Sequence, residues 1–204
     1  GTVTTITPIA AGTVNSNFAL QTATGPVFVR INEGKAEVEV AFEVAVLEAV
    51  AGGGVPTPLP LRGRDGRRYT ALDGKWVSVY PWVAGVHRTT SSAADAHALG
   101  AALAQLHQVA LPPGLALAPS RYDDAELARR RARIAAAADA ALTPALAQLT
   151  AEAAWLETQA PVRAAASHGL IHGDLFRDNV LWADGTAAEV VALLDFEQIG
   201  RAHV

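Results

Sequence analysis

The chain has 204 residues and a formal net charge of −4, with half of its residues hydrophobic and 18% charged. This composition is globular, far from that of a disordered chain, and the negative balance gives no reason to expect a nucleic-acid partner. There is no cysteine, which removes disulfides and thiolate metal sites, and no apolar run approaches the roughly 18 residues of a membrane span; a cytoplasmic protein is expected, with oligomeric state left open.

The opening residues read as a strand already under way. With no methionine anywhere in the chain, the N-terminus is expected to be clipped. The loop that follows has a single glycine, Gly12, so it is neither a Gly-x-Gly-x-x-Gly loop nor a Walker loop, but the backbone amides of Gly12, Thr13 and on to Ser16 suit phosphate oxygens. Residues 16–22 and 26–31 predict a hairpin around Thr24-Gly25, with Val27, Val29 and Ile31 on one face and Arg30 on the other.

Within residues 35–51, Glu37 to Val46 alternates like a strand. Val38, Phe42, Val46 and Val50 also recur at helical spacing, and length together with the stop at Gly52-Gly53-Gly54 favours a helix. A meander follows: Leu61, a turn at Arg64-Asp65-Gly66, a strand near Arg67 to Leu72, a turn at Asp73-Gly74, and a strand from Trp76 to Tyr80. Arg62, Arg64, Arg67 and Arg68 read as a solvated edge.

From Ser91 the pattern turns helical. Ser92 with Asp95 forms a capping box ahead of the stripe Leu99, Leu103 and Leu106, and Pro112-Pro113 ends that helix. A second helix is predicted over residues 124–138. A third opens at Thr143-Pro144, carries Leu146, Leu149, Ala153 and Leu156, and is closed by Pro161.

The last third carries the chemistry. Leu170-Ile171 delivers His172, Gly173 and Asp174 to a loop, Asn179 follows five residues after Asp174, and Val180-Leu181-Trp182 resumes a strand. A second apolar run ends in Asp195-Phe196-Glu197. A carboxylate, an amide five positions on and a second carboxylate on the next hairpin strand suit phosphoryl transfer. Asp174 would act as catalytic base toward an attacking hydroxyl, and Asn179 and Asp195 would hold Mg2+ on the phosphates of ATP. Each residue alone reads as ordinary turn chemistry; the linked spacing carries the signal. His172 is expected to brace the loop through hydrogen bonds. Arg177 is expected to support the loop or to meet an acceptor carboxylate or phosphate.

His172 to Leu181 resembles the catalytic loop of the aminoglycoside-phosphotransferase-like small-molecule kinases, and most closely that of the homoserine kinases of this fold. Pro8 to Phe18 resembles their nucleotide-loop opening, and the similarity runs from about Ile6 to Glu197. Three positions depart from related patterns: Phe176 stands where protein kinases carry lysine, and Gly173 and Glu197 differ from the residues usual in homoserine kinases. The resemblance implies a phosphate-binding cation at Arg30, the alternative being a solvent-facing strand arginine. It also implies a helix glutamate paired with that cation, Glu43 or else Glu39, and adenine read by backbone groups from Tyr80 to Val83 at an interlobe hinge. The expected fold is α+β, protein-kinase-like and two-lobed, with an antiparallel-sheet N-lobe over 1–80 and a hinge and partial helical C-lobe over 81–197. The acceptor implied is homoserine, the alternatives being an aminoglycoside, a sugar or an amino alcohol; a degenerate nucleotide-binding homologue is the non-enzyme alternative. Residues 198–204 back-translate to CAG ATC GGA AGA GCA CAC GTC, which resembles a sequencing adapter, and are expected to be a non-native tail. The chain, cut short after Glu197, is expected to be inactive by itself.

Overall fold

Alternation along the first strands builds an antiparallel sheet whose order brings Arg30 to its middle. The computed structural model describes residues 2–10, 14–115, 117 and 123–203. Strand β1 (Val3–Ile9) pairs with β2 (Ser16–Thr22), and β2 returns through a tight turn into β3 (Gly25–Asn32), where Gly25 takes a φ of 116° that a side chain would resist. Helix α1 (Glu37–Gly52) follows, and then β4 (Thr70–Leu72) and β5 (Lys75–Pro81). The order is β1-β2-β3-β5-β4, with every pairing antiparallel.

Register determines which face Arg30 takes. Arg30 lies opposite Ser78 and Phe28 opposite Tyr80, and both Ser78 and Tyr80 are buried. Period-two alternation therefore puts Arg30 on a covered face. Its side chain is 13% exposed, so the solvent-facing alternative does not hold.

The helical reading of residues 35–51 is correct in type, and the predicted stripe is buried at Val46 and Val50 and half-buried at Phe42, whereas Val38 at its start is 73% exposed. Val40, Val44 and Leu47 join the buried face. Burying each of these valines and leucines stabilises the fold by about 1.5–3 kcal/mol. Glu39 is spent at the helix start, where its Oε2 accepts the Ala36 N–H at 2.7 Å. That contact satisfies a donor the helix leaves open.

The meander is shorter than predicted. Arg67 N–H donates to Asp65 Oδ1 and the Arg67 carbonyl accepts from Gly63 N–H, closing residues 63–67 into a turn and leaving only Thr70–Leu72 as strand. Arg62 and Arg67 are exposed as a solvated edge requires, Arg62 reaching Glu48 of α1 at 2.6 Å from solvent. Arg68 is not: its side chain is 16% exposed, pairs with Glu48 at 2.7 Å and donates to the Pro60 carbonyl.

Helix α2 (Ala93–His107) begins at the predicted capping box: Ser92 Oγ accepts from Asp95 N–H, and Asp95 Oδ2 accepts from Ser92 N–H. Ala102 and Leu106 are its buried apolar contacts. Helix α3 (Asp124–Ala136) stops two residues short of the predicted end, before Ala138, whose φ is 50°. A short 3-10 turn at Ala140–Leu142 leads to α4 (Thr143–Thr158), and α5 (Ala160–Ala165) follows. Pro161 sits in the first turn of α5, where its missing N–H costs no bond; it starts a helix rather than closing one.

The remaining elements are β6 (His168–Ile171), a 3-10 turn at Arg177–Asn179, β7 (Val180–Trp182), β8 (Val190–Leu193), a 3-10 turn at Phe196–Gln198, and β9 (Gly200–His203). β7 and β8 form a hairpin, and β6 pairs with β9, so the segment expected to be a non-native tail takes strand structure. Contacts divide the chain into two compact units, residues 1–115 with 170–199, and residues 116–169 with 200–204. Among the described residues no helix is long and apolar enough to cross a membrane.

Within the first unit the hairpin is fixed from several sides. Val86 and Trp182 exchange backbone hydrogen bonds at 2.9 Å, and Leu193 N–H donates to the Pro56 carbonyl at 2.7 Å. Arg88 adds a clamp. Its Nη2 donates to the carbonyls of Ala183, Gly185 and Ala187 in the β7–β8 turn, its Nη1 pairs with Asp95, and its guanidinium lies 5.0 Å from the Trp182 ring centroid.

Candidate active site

Strand β6 ends by delivering His172 into the interior, 2% exposed. Its Nε2 lies 2.7 Å from the Leu194 carbonyl, its Nδ1 is 3.4 Å from Asp174 N, and its ring rests on Phe196 at 4.5 Å. These partners assign the neutral Nε2–H tautomer, since a backbone carbonyl only accepts and a backbone N–H only donates. Burial holds the imidazole below its usual pKa, which keeps it neutral. Gly173 turns the chain with a φ of 81°, and a Cβ there would overlap the Gln198 carbonyl oxygen. Both facts require glycine.

The next residue is Asp174, half-buried, whose carboxylate takes no hydrogen bond or ion pair among the described residues. Its carbonyl accepts from Asn179 Nδ2 at 2.7 Å and from Phe176 N–H at 3.0 Å. Asn179 thus spends its amide nitrogen inside the loop and leaves Oδ1 for another ligand. The Asn179 carbonyl accepts from Leu194 N–H at 2.9 Å, which sets it beside the chain entering Asp195. Asp195 has a left-handed backbone, φ 62° and ψ 71°, strained for a residue with a side chain. Its Oδ1 is buried without a hydrogen-bond partner.

The second half of the site is a cluster of charges. Arg30 Nη1 lies 3.3 Å from Glu43 Oε1, 3.2 Å from Glu197 Oε1 and 3.9 Å from Asp195 Oδ1. Lys35 Nζ lies 2.9 Å from Glu43 Oε2 and 3.1 Å from Glu197 Oε1. Asn15 Nδ2 also donates to Glu197 Oε1. Burial alone would lower the Lys35 ammonium's pKa; Glu43 and Glu197 outweigh it and hold the group above its ordinary value. Two cations therefore meet three carboxylates, yet Arg30 Nε is buried without an acceptor.

Of the predicted residues, Asp174, Asn179, Asp195 and His172 gather around one loop, and Arg30 reaches Glu43 rather than Glu39. Gly12 and Thr13 lie outside the described residues. Ser16 Oγ donates to Glu33 Oε1 at 2.8 Å. Tyr80 is buried, edge-on to Phe28 at 5.8 Å, and burial raises its phenol above the ordinary pKa. Val83 is half-buried just past β5, and the exposed Arg177 donates to the Thr89 carbonyl. Sequence reasoning missed Lys35, Asn15 and the ion-pair role of Glu197. One signal was present: a lysine one residue before a helix N-cap opposes the helix dipole and needs a local reason.

Two oxygen ligands suit a magnesium ion. The buried Asp195 Oδ1, which accepts no hydrogen bond, and the uncommitted Asn179 Oδ1 are a hard-donor pair, and magnesium is commonly held by one or two protein oxygens completed by substrate phosphates and water.

Comparison with known proteins gives the same direction. Homoserine kinase from Methylocella silvestris is 34% identical over 200 residues, covering 96% of this chain and 60% of its own length. Homoserine kinase from Beijerinckia indica is 34% identical over 192 residues, covering 92% and 57%. The chain thus spans about 60% of the length of these curated relatives. Spectinomycin phosphotransferase, solved with ADP and spectinomycin, superposes with a TM-score of 0.68 at 16% identity, over 98% of this chain and 66% of that one; the likeness is one of fold, the kinase-like fold expected. The profile of the phosphotransferase enzyme family matches residues 5–204, a span that holds the whole charge cluster and the loop from Asp174 to Asn179, and this chain belongs to that family.

Proposed function

We propose that the intact protein is an ATP-dependent small-molecule kinase that moves the γ-phosphate of ATP to the hydroxyl of L-homoserine, a step toward threonine, in the cytoplasm. One observation carries the phosphate-transfer reading. Arg30 Nε is a buried donor without an acceptor, and Asp195 Oδ1 is a buried acceptor without a donor, in the same cluster. A phosphate carrying a bound cation supplies both missing partners. The choice of homoserine follows from the curated relatives of that name.

In this reading Asp174 accepts the proton of the attacking hydroxyl as the new O–P bond forms and the bond to ADP breaks. Asn179 and Asp195 hold Mg2+, which when bound neutralises charge on the phosphates. Arg30, oriented by Glu43, holds phosphate oxygens, and backbone amides from Gly12 and Thr13 to Ser16 cap others. The segment Tyr80 to Val83 receives adenine. His172 and Arg177 hold the loop through Leu194 and Thr89, so the base meets the hydroxyl without reorganisation.

The second reading keeps this chemistry and changes the acceptor to an aminoglycoside, sugar or amino alcohol; the fold shared with spectinomycin phosphotransferase favours it. An acceptor panel with ATP and Mg2+ separates the two. ADP release that depends on homoserine supports the first, and release with spectinomycin or another amino alcohol but not homoserine sinks it. Nucleotide binding with no turnover on any acceptor would move the protein to the degenerate, binding-only class.

A further inference from the structure

Three donors from three segments converge on one carboxylate oxygen. Asn15 in the β1–β2 loop, Arg30 at 3.2 Å on β3 and Lys35 at 3.1 Å before α1 all point at Glu197 Oε1. A guanidinium, an ammonium and an amide around a single oxygen form the kind of seat a phosphate oxygen takes. The Asn15 loop is also the one whose amides suit phosphate. A second anion cannot use the same donors while the carboxylate occupies them.

The two glutamates that share these cations differ in how they can move. Glu43 projects from the interior of α1 and is buried, so its backbone is held by the hydrogen bonds of a sixteen-residue helix. Glu197 stands on a one-turn 3-10 segment, directly after Asp195 and its strained backbone. Swinging Glu197 out leaves Arg30 and Lys35 still paired with Glu43, and therefore still placed.

We propose that Glu197 is a stand-in for a nucleotide phosphate: it fills the seat made by Asn15, Arg30 and Lys35 and is displaced by ATP, so that it sets nucleotide affinity and speeds ADP release. Lys35 and Asn15 then become phosphate contacts alongside Arg30. This rests on the nucleotide-binding reading above, and it adds a competing carboxylate which that reading does not need. Glu197 acts as a positioning residue through Arg30 and Lys35.

The test measures the dissociation constants of ATP, ADP and adenosine for the intact protein and for Glu197→Gln, which keeps the size and removes the charge. ATP and ADP should bind about tenfold tighter to the variant and adenosine unchanged, a charge-assisted contact being worth about that factor. KM for ATP should fall and ADP should dissociate more slowly. Lys35→Met should move the other way, weakening ATP about tenfold and leaving adenosine alone. ATP bound by wild type with no tightening in Glu197→Gln overturns the inference and leaves the nucleotide reading standing, whereas failure of wild type to bind ATP at all overturns that reading. A crystal structure of wild type with a non-hydrolysable ATP analogue decides the matter without any variant. A phosphate oxygen should replace Glu197 beside Arg30 and Lys35; the carboxylate still seated there beside bound analogue contradicts the inference.

Discussion

The Asn179 side chain donates from Nδ2 to the Asp174 carbonyl at 2.7 Å, so the proposed base and the proposed metal ligand are locked to each other across one turn. That bond explains why five-residue spacing matters: it closes the loop and leaves Asn179 Oδ1 and the Asp174 carboxylate uncommitted. The two groups proposed to act on the acceptor hydroxyl and on the phosphate-bound cation are thereby placed before any substrate arrives.

Asp174→Asn keeps the shape of the loop and removes the base. Turnover of the intact protein should fall about a hundred- to ten-thousandfold, with the dissociation constant for ATP little changed. Stopped-flow or coupled ADP assays beside a binding titration check this. Unchanged turnover would remove Asp174 from the base role.

Gly173→Ala tests the close packing under the loop. The added methyl would overlap the Gln198 carbonyl and would have to adopt a φ of 81°. The cost should be about 1–3 kcal/mol of stability, read by thermal or urea unfolding. Because the 3-10 turn that shifts also carries Glu197, nucleotide affinity should change along with it.

His172 gives a pH dependence whose sign follows from its burial. Its pKa is lowered from 6.5 by burial, so below 6.5 the unfolded chain binds a proton that the folded one resists. The unfolded state then holds more protons, and stability rises with pH through that window. The contribution is complete above 6.5 and is lost as pH falls from 6.5 through the lower folded value. Urea midpoints measured across this range should show the slope in wild type and a shallower one in His172→Gln.

Arg88→Ala removes the clamp on the β7–β8 turn. Three carbonyls, those of Ala183, Gly185 and Ala187, lose a charged donor, and the Trp182 ring loses its cation. A loss of about 2 kcal/mol in stability is expected. Weaker metal-dependent nucleotide binding should accompany it, since the hairpin links Asn179 to Asp195; Arg88→Lys should rescue only part, having no planar fork.

How far sequence carried the reading differed from element to element. The Asp174, Asn179 and Asp195 set was legible because each residue is fixed by local turn geometry between short apolar strands. The capping box at Ser92 and Asp95 was legible for the same reason. Lys35 and Glu197 were not, because their partners are 8 and 162 residues apart from them along the chain, at Glu43 and Lys35, and no local pattern encodes such a contact. The buried face of α1 is legible only in part, at Val46 and Val50, because the helix is apolar on more than one side; tertiary contact also buries Val40 and Val44 and leaves Val38 in solvent. Pro161 looks like a stop because proline ends helices, but the same residue is well suited to a first turn.

The most direct measurement is product formation by the intact protein supplied with ATP, Mg2+ and L-homoserine, followed by phosphorus NMR. An equimolar rise of ADP and of a phosphate ester on the homoserine hydroxyl is expected, both abolished in Asp174→Asn. ADP and free phosphate without the ester, or an ester that forms equally well in Asp174→Asn, would contradict the proposed function.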